Sequence, residues 1–485
     1  MCQVQPGNEW RDRRAYVIGT GKSGLAAAGW LLGQGATVCL NESRALADLA
    51  PESRAALAAL EAQGLLLELG QPCDPLAFGA ELVVPSPGVP LDEPAIRAAG
   101  AAGAVITNEI ELGWRAGRAA VVGVTGSNGK TTVTSLIGHM LRLAGREPFV
   151  GGNIGVPYLQ AAPRLTANDL AVLELSSFQL EGILSLRPKV AVFLNLSPDH
   201  LNRHKTYAAY QAAKWRIAEF QGPADWLILN GDDPLLRREG ERRLATAAGG
   251  GPRIMFFSAA GPIANGLWLD EEGWLNLTLP TADGAVQRQR LLPAAEFALP
   301  GAHNRENLLA AAACGLILGL APADIRRAAA TFQAVEHRLE PVGEAAGVLY
   351  VNDSKATNPD AALKALDAFT RPLLLIAGGD GKGASFQELA AKIAARTKLA
   401  VLIGKDGGRL AAALREAGFE RFRQASSLEE AIDICREQAV AGDAVLLSPA
   451  CSSLDMFRNY EQRGEVFKAR VKEILAARSN VGRRD

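Results

Sequence analysis

Cysteine is scarce and scattered. The six residues, Cys2, Cys39, Cys73, Cys314, Cys435 and Cys451, show no CxxC spacing among 485 positions. That argues against a disulfide framework or a cysteine zinc site and points to a reducing cytoplasm. Long apolar runs are missing as well. The longest, residues 308–323, is rich in Ala and Gly and meets Pro322 before reaching the ~20 residues that a bilayer span needs. It reads as a buried helix, so no membrane span is expected. The opening MCQVQPGNEWRDRR has charges with no apolar core behind them, and no secretory signal is expected there. Nor does charge of one sign accumulate: 51 Lys and Arg face 52 Asp and Glu, a formal net charge of −1. A broad electrostatic footprint for nucleic acid or anionic lipid is therefore not expected, which leaves room only for a local basic site.

What is present is ordinary globular material. Hydrophobic residues make up 48% and charged residues 21%, enough to bury several cores and too apolar for large-scale disorder. At roughly 150 residues per domain the length predicts about three domains. Residues 15–18 form an apolar run, followed by a glycine loop, a helical stretch over 25–34 and strand-like residues 37–40 ending at Asn41 and Glu42. Residues 82–84 add another short strand closed by a Pro-rich turn. This is the start of a doubly wound sheet. The pattern restarts at residues 119–124, with strands expected at 170–175, 190–195 and 226–230 and a small antiparallel excursion over 253–290. It restarts again after His337, with strands expected at 348–351, 373–377, 399–403 and 444–447. The prediction is α/β throughout, in three domains: 1–110, 111–335 and 336–485.

The sharpest motif is Gly123-Val-Thr-Gly126-Ser127-Asn128-Gly129-Lys130-Thr131-Thr132, after a strand and before a helix expected near Val133. In that setting backbone N–H groups wrap phosphate oxygens, and the helix N-terminus adds favourable partial charge. Lys130 would reach the β- and γ-phosphates, and the Thr131 hydroxyl would help hold Mg²⁺. The spacing departs from the strict Walker A pattern, because Val124 stands where the first glycine belongs and Gly123 lies one residue earlier. A bare turn capping a helix is the alternative, but Gly-Lys-Thr-Thr directly after an apolar strand favours a nucleotide. ATP use is expected. The first loop, Gly19-x-Gly21-x-x-Gly24, matches the dinucleotide fingerprint, with Glu42 near the place of the ribose-binding acid. Its physics requires only a pyrophosphate near a helix N-terminus, which NAD and a UDP-sugar both carry. The loop alone does not choose between them.

Together these residues resemble the Mur ligases. The resemblance rests on the Gly123 loop, Gly151-Gly-Asn153-Ile-Gly155, Glu174-Leu-Ser-Ser-Phe-Gln-Leu-Glu181 and Ser197-Pro-Asp-His200. It continues through Leu299-Pro-Gly-Ala-His-Asn304-Arg-Glu-Asn307, His337-Arg338-Leu-Glu340, Asn352-Asp353-Ser-Lys355-Ala-Thr357-Asn358 and Gly378-Gly-Asp-Gly-Lys382-Gly. It ends on Ser448-Pro-Ala-Cys-Ser-Ser453-Leu454-Asp455 and Glu461-Gln-Arg-Gly464, and it covers nearly the whole chain in order. Only the stretch near 237–295 carries no recognisable motif. The Glu-Leu-Ser-Ser-Phe-Gln-Leu and C-terminal motifs favour the branch that adds D-glutamate to UDP-N-acetylmuramoyl-L-alanine, a cytoplasmic step of peptidoglycan precursor synthesis.

The resemblance implies a Rossmann-like UDP-binding domain, a central phosphate-loop ATPase domain and a Rossmann-like amino-acid-binding domain. It implies ATP with two Mg²⁺ ions, Mn²⁺ able to substitute, and small-molecule partners only, in a monomer. By the same implication Thr131, Glu174, His200 and a carbamoylated Lys214 hold metal, and Lys130, Glu174, His200 and Lys214 carry the catalysis. Without the family, Lys214 reads as an unremarkable surface lysine, and His200 with His204 reads as a helical zinc pair lacking a third ligand. Gly126 to Thr132, with Asn304, Asn307, Arg338 and Asp353, are expected at ATP. Lys355, Thr357, Lys382, Ser453, Leu454 and Tyr460 are expected at D-glutamate. Gly21, Lys22, Ser23, Asn41, Ser86, Pro87, Gly88 and Asn153 are expected at the UDP substrate. The family commonly has Asp where this chain has Asn41 and Asn202. The competing readings are a sister ligase or folylpolyglutamate synthase-like enzyme with another amino acid, a NAD-dependent oxidoreductase reading the first loop, and an ATP-gated scaffold. Domain closure about hinges near 113–118 and 335–338 is expected, because reactants on separate domains must meet.

Overall fold

Short apolar runs closed by glycine become the strands of three sheets in the computed structural model, which describes residues 9–246, 250–280, 286–299, 301–333 and 336–479. Val335, one end of the second expected hinge, and the side chain of Asn202 lie outside the described residues. The first sheet is all parallel, in the order Leu66–Leu69, Thr37–Glu42, Arg14–Ile18, Leu82–Pro85, Val105–Ile106. In the second, a parallel run places Ala120–Thr125 between Leu170–Glu174 and Val190–Phe193. Phe149–Gly152 closes that sheet on one side, and Trp226–Asn230 and Arg253–Ser258 extend it on the other. In the third, Ala444–Leu447 lies between Val348–Asn352 and Leu373–Gly378, with Thr397–Ile403 and Phe422–Gln424 beyond and Glu340–Ala345 antiparallel at the far edge. Open parallel sheets bind ligands where the strand order reverses, outside the carboxyl ends of the strands. That rule singles out the ends of Arg14–Ile18, Ala120–Thr125 and Ala444–Leu447 as the places to look.

Both faces of the central sheet are covered, so its strands are apolar without alternation; Val121, Val122 and Val124 are all fully buried. Helices Lys130–Leu143, Ala302–Ile317 and Pro322–Thr331 pack on one face, and Ile110, Tyr158, Leu180 and Ile217 fill the other. The apolar run 308–323 is therefore not one helix. Gly319, at φ +81°, breaks it after Ile317, and Pro322 starts the next helix. Among the described residues no helix is long and apolar enough to cross a membrane.

Two further expectations need correction. The helix after the second glycine loop begins at Lys130 rather than near Val133, because Gly129 at φ +85° turns the chain directly into it. The excursion expected over 253–290 is antiparallel only from Gly266–Leu269 onward. Arg253–Ser258 pairs parallel with Trp226–Asn230 and with Gly266–Leu269, and the antiparallel strands Trp274–Pro280 and Val286–Pro293 then continue the same sheet. Helix Glu109–Ala116 lies at the junction of the first two sheets. Its Glu111 accepts hydrogen bonds from the backbone N–H groups of Leu184, Ser185 and Leu186 (3.0 Å each) and binds Arg115.

Candidate active site

The carboxyl end of Ala120–Thr125 carries the second glycine loop. Gly129 is required there twice over: its φ is left-handed, and a Cβ would run into the Asn307 amide oxygen. The loop is pinned by the segment that follows strand Val190–Phe193 and by helix Tyr207–Trp215. Asn195 Oδ1 accepts from the Asn128 N–H (2.8 Å), and the Ser127 hydroxyl bonds the Ser197 carbonyl and the Tyr210 hydroxyl (2.9 Å each). Lys130 folds back over the loop, donating to the carbonyls of Gly126 (2.9 Å) and Ser127 (2.8 Å). Burial pulls its pKa down, against the attraction of Glu174 and Asp199. Thr132 sits beneath, its buried hydroxyl without a partner.

Glu174, at the end of its strand, is buried with both oxygens held. Thr131 Oγ1 donates to one (2.6 Å) and Asn153 Nδ2 to the other (2.8 Å). Burial pushes this carboxyl up, but Lys355 and Lys130, with those two hydrogen bonds, hold it below the usual range. The result is a buried anion beside the phosphate loop.

The sequence reading of Lys214 as a surface residue is wrong: only 2% of it is exposed. In helix Tyr207–Trp215 the buried face comprises Tyr210, Ala213 and Lys214, and Nζ reaches under the loop to the Gly126 carbonyl (2.8 Å). Burial first, and Lys130 second, hold its pKa well below the ordinary lysine value. His200 adopts the left-handed φ of +54°, unusual for a residue with a Cβ. Burial, with Lys382, Lys130 and Lys214 nearby, pulls its pKa below the ordinary histidine value despite Asp199, which favours the neutral imidazole.

A pocket opens between the second and third sheets, lined by Asn128, Gly129, His303, Asn307, Arg338 and Asp353. Asn307 donates to Asn304 Oδ1 (3.1 Å) on the same helix face. Arg338 Nε is buried and unpartnered. Asp353 accepts from Ser448 (2.8 Å) and from the Leu339 N–H (3.2 Å), and burial raises its pKa to about 7. On the third domain, Lys355 donates to the Tyr460 hydroxyl (3.0 Å) with its Nζ 4.8 Å from that ring. Its pKa falls to about 8, mainly through burial and further through Arg338 and Lys130, while Glu174 opposes. Thr357 and Lys382 line a groove with Asp199 and His200, and Asn358 bridges to Asp199 (2.9 Å). Ser453 is buried on the same domain, whereas the Leu454 side chain is turned to solvent, 71% exposed. Sequence reasoning missed Arg463, fully buried, which bonds Ser354 and the Cys451 carbonyl and so ties together the two loops that carry Lys355 and Ser453.

At the first sheet, Gly19 and Gly24 hold the loop close to the Ser86 hydroxyl, which is buried without a partner. Lys22, the first residue of its helix after Gly21, reaches the Gly155 carbonyl of the central domain (3.5 Å), and Ser23 follows it. Ser86, Pro87 and Gly88 form the turn after Leu82–Pro85. Asn41 points elsewhere: its amide donates to the carbonyls of Glu68 (3.3 Å) and Gln71 (3.2 Å). Strand alternation puts the next residue at the loop instead. Glu42 accepts from Thr20 (2.7 Å) and binds Arg44 (2.9 Å), with its pKa lowered to about 2 by Arg44 and Thr20 against burial. Asn153, expected at the UDP substrate, lies at the central carboxylate.

Comparisons with known proteins bear on the same architecture. The Mur ligase MurD-like N-terminal domain matches residues 13–108, the Mur ligase middle domain 124–315, and the Mur ligase glutamate ligase domain 337–451. The UDP-N-acetylmuramoylalanine–D-glutamate ligase of Pelotomaculum thermopropionicum is 42% identical over 466 residues, covering 96% of this chain and 99% of that protein. The enzyme of the same name from Koribacter versatilis is 40% identical over 465 residues, covering 96% and 98%. Among solved structures, the UDP-N-acetylmuramate–alanine ligase of Thermotoga maritima has the same fold, with a TM-score of 0.58 at 19% identity over 95% of this chain and 99% of that one. With a buried carboxylate beside a phosphate loop and this degree of likeness over nearly its whole length, the chain belongs to the Mur ligase family.

Proposed function

We propose that this chain is the ligase that joins D-glutamate to UDP-N-acetylmuramoyl-L-alanine at the expense of ATP, in peptidoglycan precursor synthesis. The carrying observation is the convergence on Glu174: a buried anion held by Thr131 and Asn153, with Lys130 from the phosphate loop and Lys355 from the third domain in its field. In this reading a carboxylate oxygen of the UDP substrate attacks the γ-phosphorus of ATP, and ADP leaves. The amine of D-glutamate then attacks the acyl carbon, inorganic phosphate departs, and the ammonium proton passes to a base.

Each part of the chain has a place in that sequence. The loop 126–132 cradles the phosphates, with Lys130 on the transferred group. Asn307, which donates to Asn304, lines the nucleotide pocket with Arg338 and Asp353, and the unpartnered Arg338 Nε supplies a donor for a phosphate oxygen. Lys355, Thr357, Lys382, Ser453 and Tyr460 receive the dicarboxylate. Gly21, Lys22, Ser23 and the Ser86 turn receive the UDP moiety, and Glu42 and Arg44 replace Asn41 at the strand end. The donor set fits a hard divalent cation: the Thr131 hydroxyl, an ionised Glu174 and a neutral His200 lie around the loop. Thr131, Glu174, His200 and Lys214 would hold Mg²⁺ or Mn²⁺, two ions in all, which when bound screen the phosphate charge. Lys214 as an ammonium cannot ligate metal. Carbamoylation, in which its neutral amine attacks the carbon of CO₂ and releases a proton, converts it into an oxygen ligand.

The test is phosphate release from ATP with UDP-N-acetylmuramoyl-L-alanine and one amino acid at a time. Release with D-glutamate, matched by the corresponding mass gain in the UDP product, is expected. Release with a different amino acid instead would assign a sister activity, and none with any would overturn the ligase reading.

A further inference from the structure

The pair His200 and His204 has a use besides metal. His200 starts, and Lys205 ends, a single helical turn, Leu201–His204, and both bracketing residues have left-handed φ angles of +54° and +65°. Such a turn persists only where tethers over-determine it. The tethers converge on Glu181, at the end of the helix Ser177–Glu181 that follows the Glu174 strand. One Glu181 oxygen accepts from Arg203 Nη2 (2.8 Å), and the other lies 3.2 Å from His204 Nδ1. The opposite nitrogen of His204 bonds the Ser177 hydroxyl (2.9 Å). Phe178 fills the space between them, with its ring edge-on to His200 at 4.8 Å and Arg203 over it at 5.5 Å.

The second end of this web lies on another domain. Arg203 Nη2 also reaches the carbonyl of Val89 (3.4 Å), in the turn that begins at Ser86. Its Nε is shut off from solvent and unpartnered, and the side chain lies at a groove shared with Leu91 and Asp92 of the first domain. A buried donor without an acceptor at a domain junction calls for an explanation, and an incoming oxygen supplies one.

We propose that Glu181, Arg203 and His204 are positioning residues that tie the first-domain turn 86–89 to the His200 turn, so that the UDP substrate is registered against the phosphate loop. This rests on the functional reading above. It predicts that Arg203→Gln and Glu181→Gln each raise the KM for UDP-N-acetylmuramoyl-L-alanine about ten-fold and weaken its calorimetric affinity alike, a change typical of one lost charge-assisted contact. The KM for ATP should stay within about two-fold, because the phosphate loop keeps its own anchors. The double variant should be no worse than the poorer single one, since both remove the same contact. Arg203→Lys should fall between, because lysine keeps the charge but lacks the guanidinium plane that lies over Phe178 and the Nε donor. Unchanged binding and turnover would overturn the relay. So would an additive double variant, or a parallel rise in all three KM values with a lower melting temperature, which would mark a merely structural role. A wild-type protein that binds no UDP substrate would overturn the functional reading itself and the relay with it.

Discussion

Lys130 and Lys214 converge on one acceptor, the carbonyl of Gly126, at 2.9 and 2.8 Å. Two ammonium groups at one buried oxygen repel, and burial disfavours both charges, Lys214 being the more deeply depressed. A neutral amine is the form that adds CO₂. Protein equilibrated with ¹³C-bicarbonate should therefore show a carbamate carbon resonance that Lys214→Arg lacks; its absence from the wild type would remove the carbamoylation proposal. Lys130 itself is proposed to hold the nucleotide. Lys130→Ala should keep the melting profile yet lose a charge–phosphate contact worth on the order of a few kcal/mol, enough to lower turnover about a hundred-fold or more. Normal ATP turnover by the folded variant would refute the assignment of the loop. Lys355 gives a pH signature. Burial lowers its pKa to about 8, so it is charged below that value and becomes neutral above it. kcat/KM for D-glutamate, divided by the same quantity for Lys355→Arg, should fall as pH rises through about 8, because the arginine stays protonated. A ratio flat with pH would exclude Lys355 as a carboxylate-binding cation.

At the scale of elements, helix Glu109–Ala116 owes its place to Glu111, which gathers three successive backbone N–H groups of the segment 184–186. Burial pushes this carboxyl up, yet Ser185, those N–H groups and Arg115 hold it below the usual range. A depressed acid stabilises above its unfolded pKa, so the contribution is present at neutral pH and is lost on acidification below the ordinary carboxylate range. Glu111→Ala leaves these N–H groups, of which that of Leu186 is buried, and Arg115 without their acceptor, at a cost of about 3 kcal/mol, and should lower the urea midpoint correspondingly; an unchanged midpoint would show that the clamp carries no stability. The clamp was invisible in the sequence because its partners lie more than 70 residues away. The phosphate loop, by contrast, was legible, since strand, glycines and helix start are consecutive and local. Strands Leu66–Leu69 and Phe149–Gly152 were not legible: each is four residues long and half-buried, with no alternation to read. The site shows the same division. Glu174 ends a strand and could be placed from sequence, whereas the burial of Lys214 and Arg463 is decided by tertiary packing.

For the whole molecule, the three sheets bring their switch points toward one region, and side chains bridge them across domain boundaries. Asn128 of the phosphate loop bonds Asp360 of the third domain, which also accepts from Ser197 (3.3 Å). Asn358 and Lys382 meet Asp199, the latter at 4.0 Å. Lys22 of the first domain touches Gly155 only at 3.5 Å, on an exposed face. The first domain is tied further, by Thr107 and Asn108, which donate to the carbonyls of Gly182 and Gln179, by Arg203 at the Val89 carbonyl, and by Leu112 and Leu159 packed into its core, whereas the bridges to the third domain are polar. The phosphate contact proposed for Asn128 would draw on the same amide that holds Asp360, so nucleotide binding and this bridge are coupled. Interfaces of this kind permit rigid-body movement of domains about short linkers. Reaction demands that three substrates be held within bonding distance, which is worth many powers of ten in effective molarity. Small-angle scattering should therefore report a smaller radius of gyration when a non-hydrolysable ATP analogue and UDP-N-acetylmuramoyl-L-alanine are added together than when either is added alone. Asp360→Ala, which removes the bridge to Asn128 and Ser197, should change that contraction while leaving the melting profile in place. A radius that is the same with no ligand and with both at saturation would mean that the substrates meet in a cleft already formed, with no closure step.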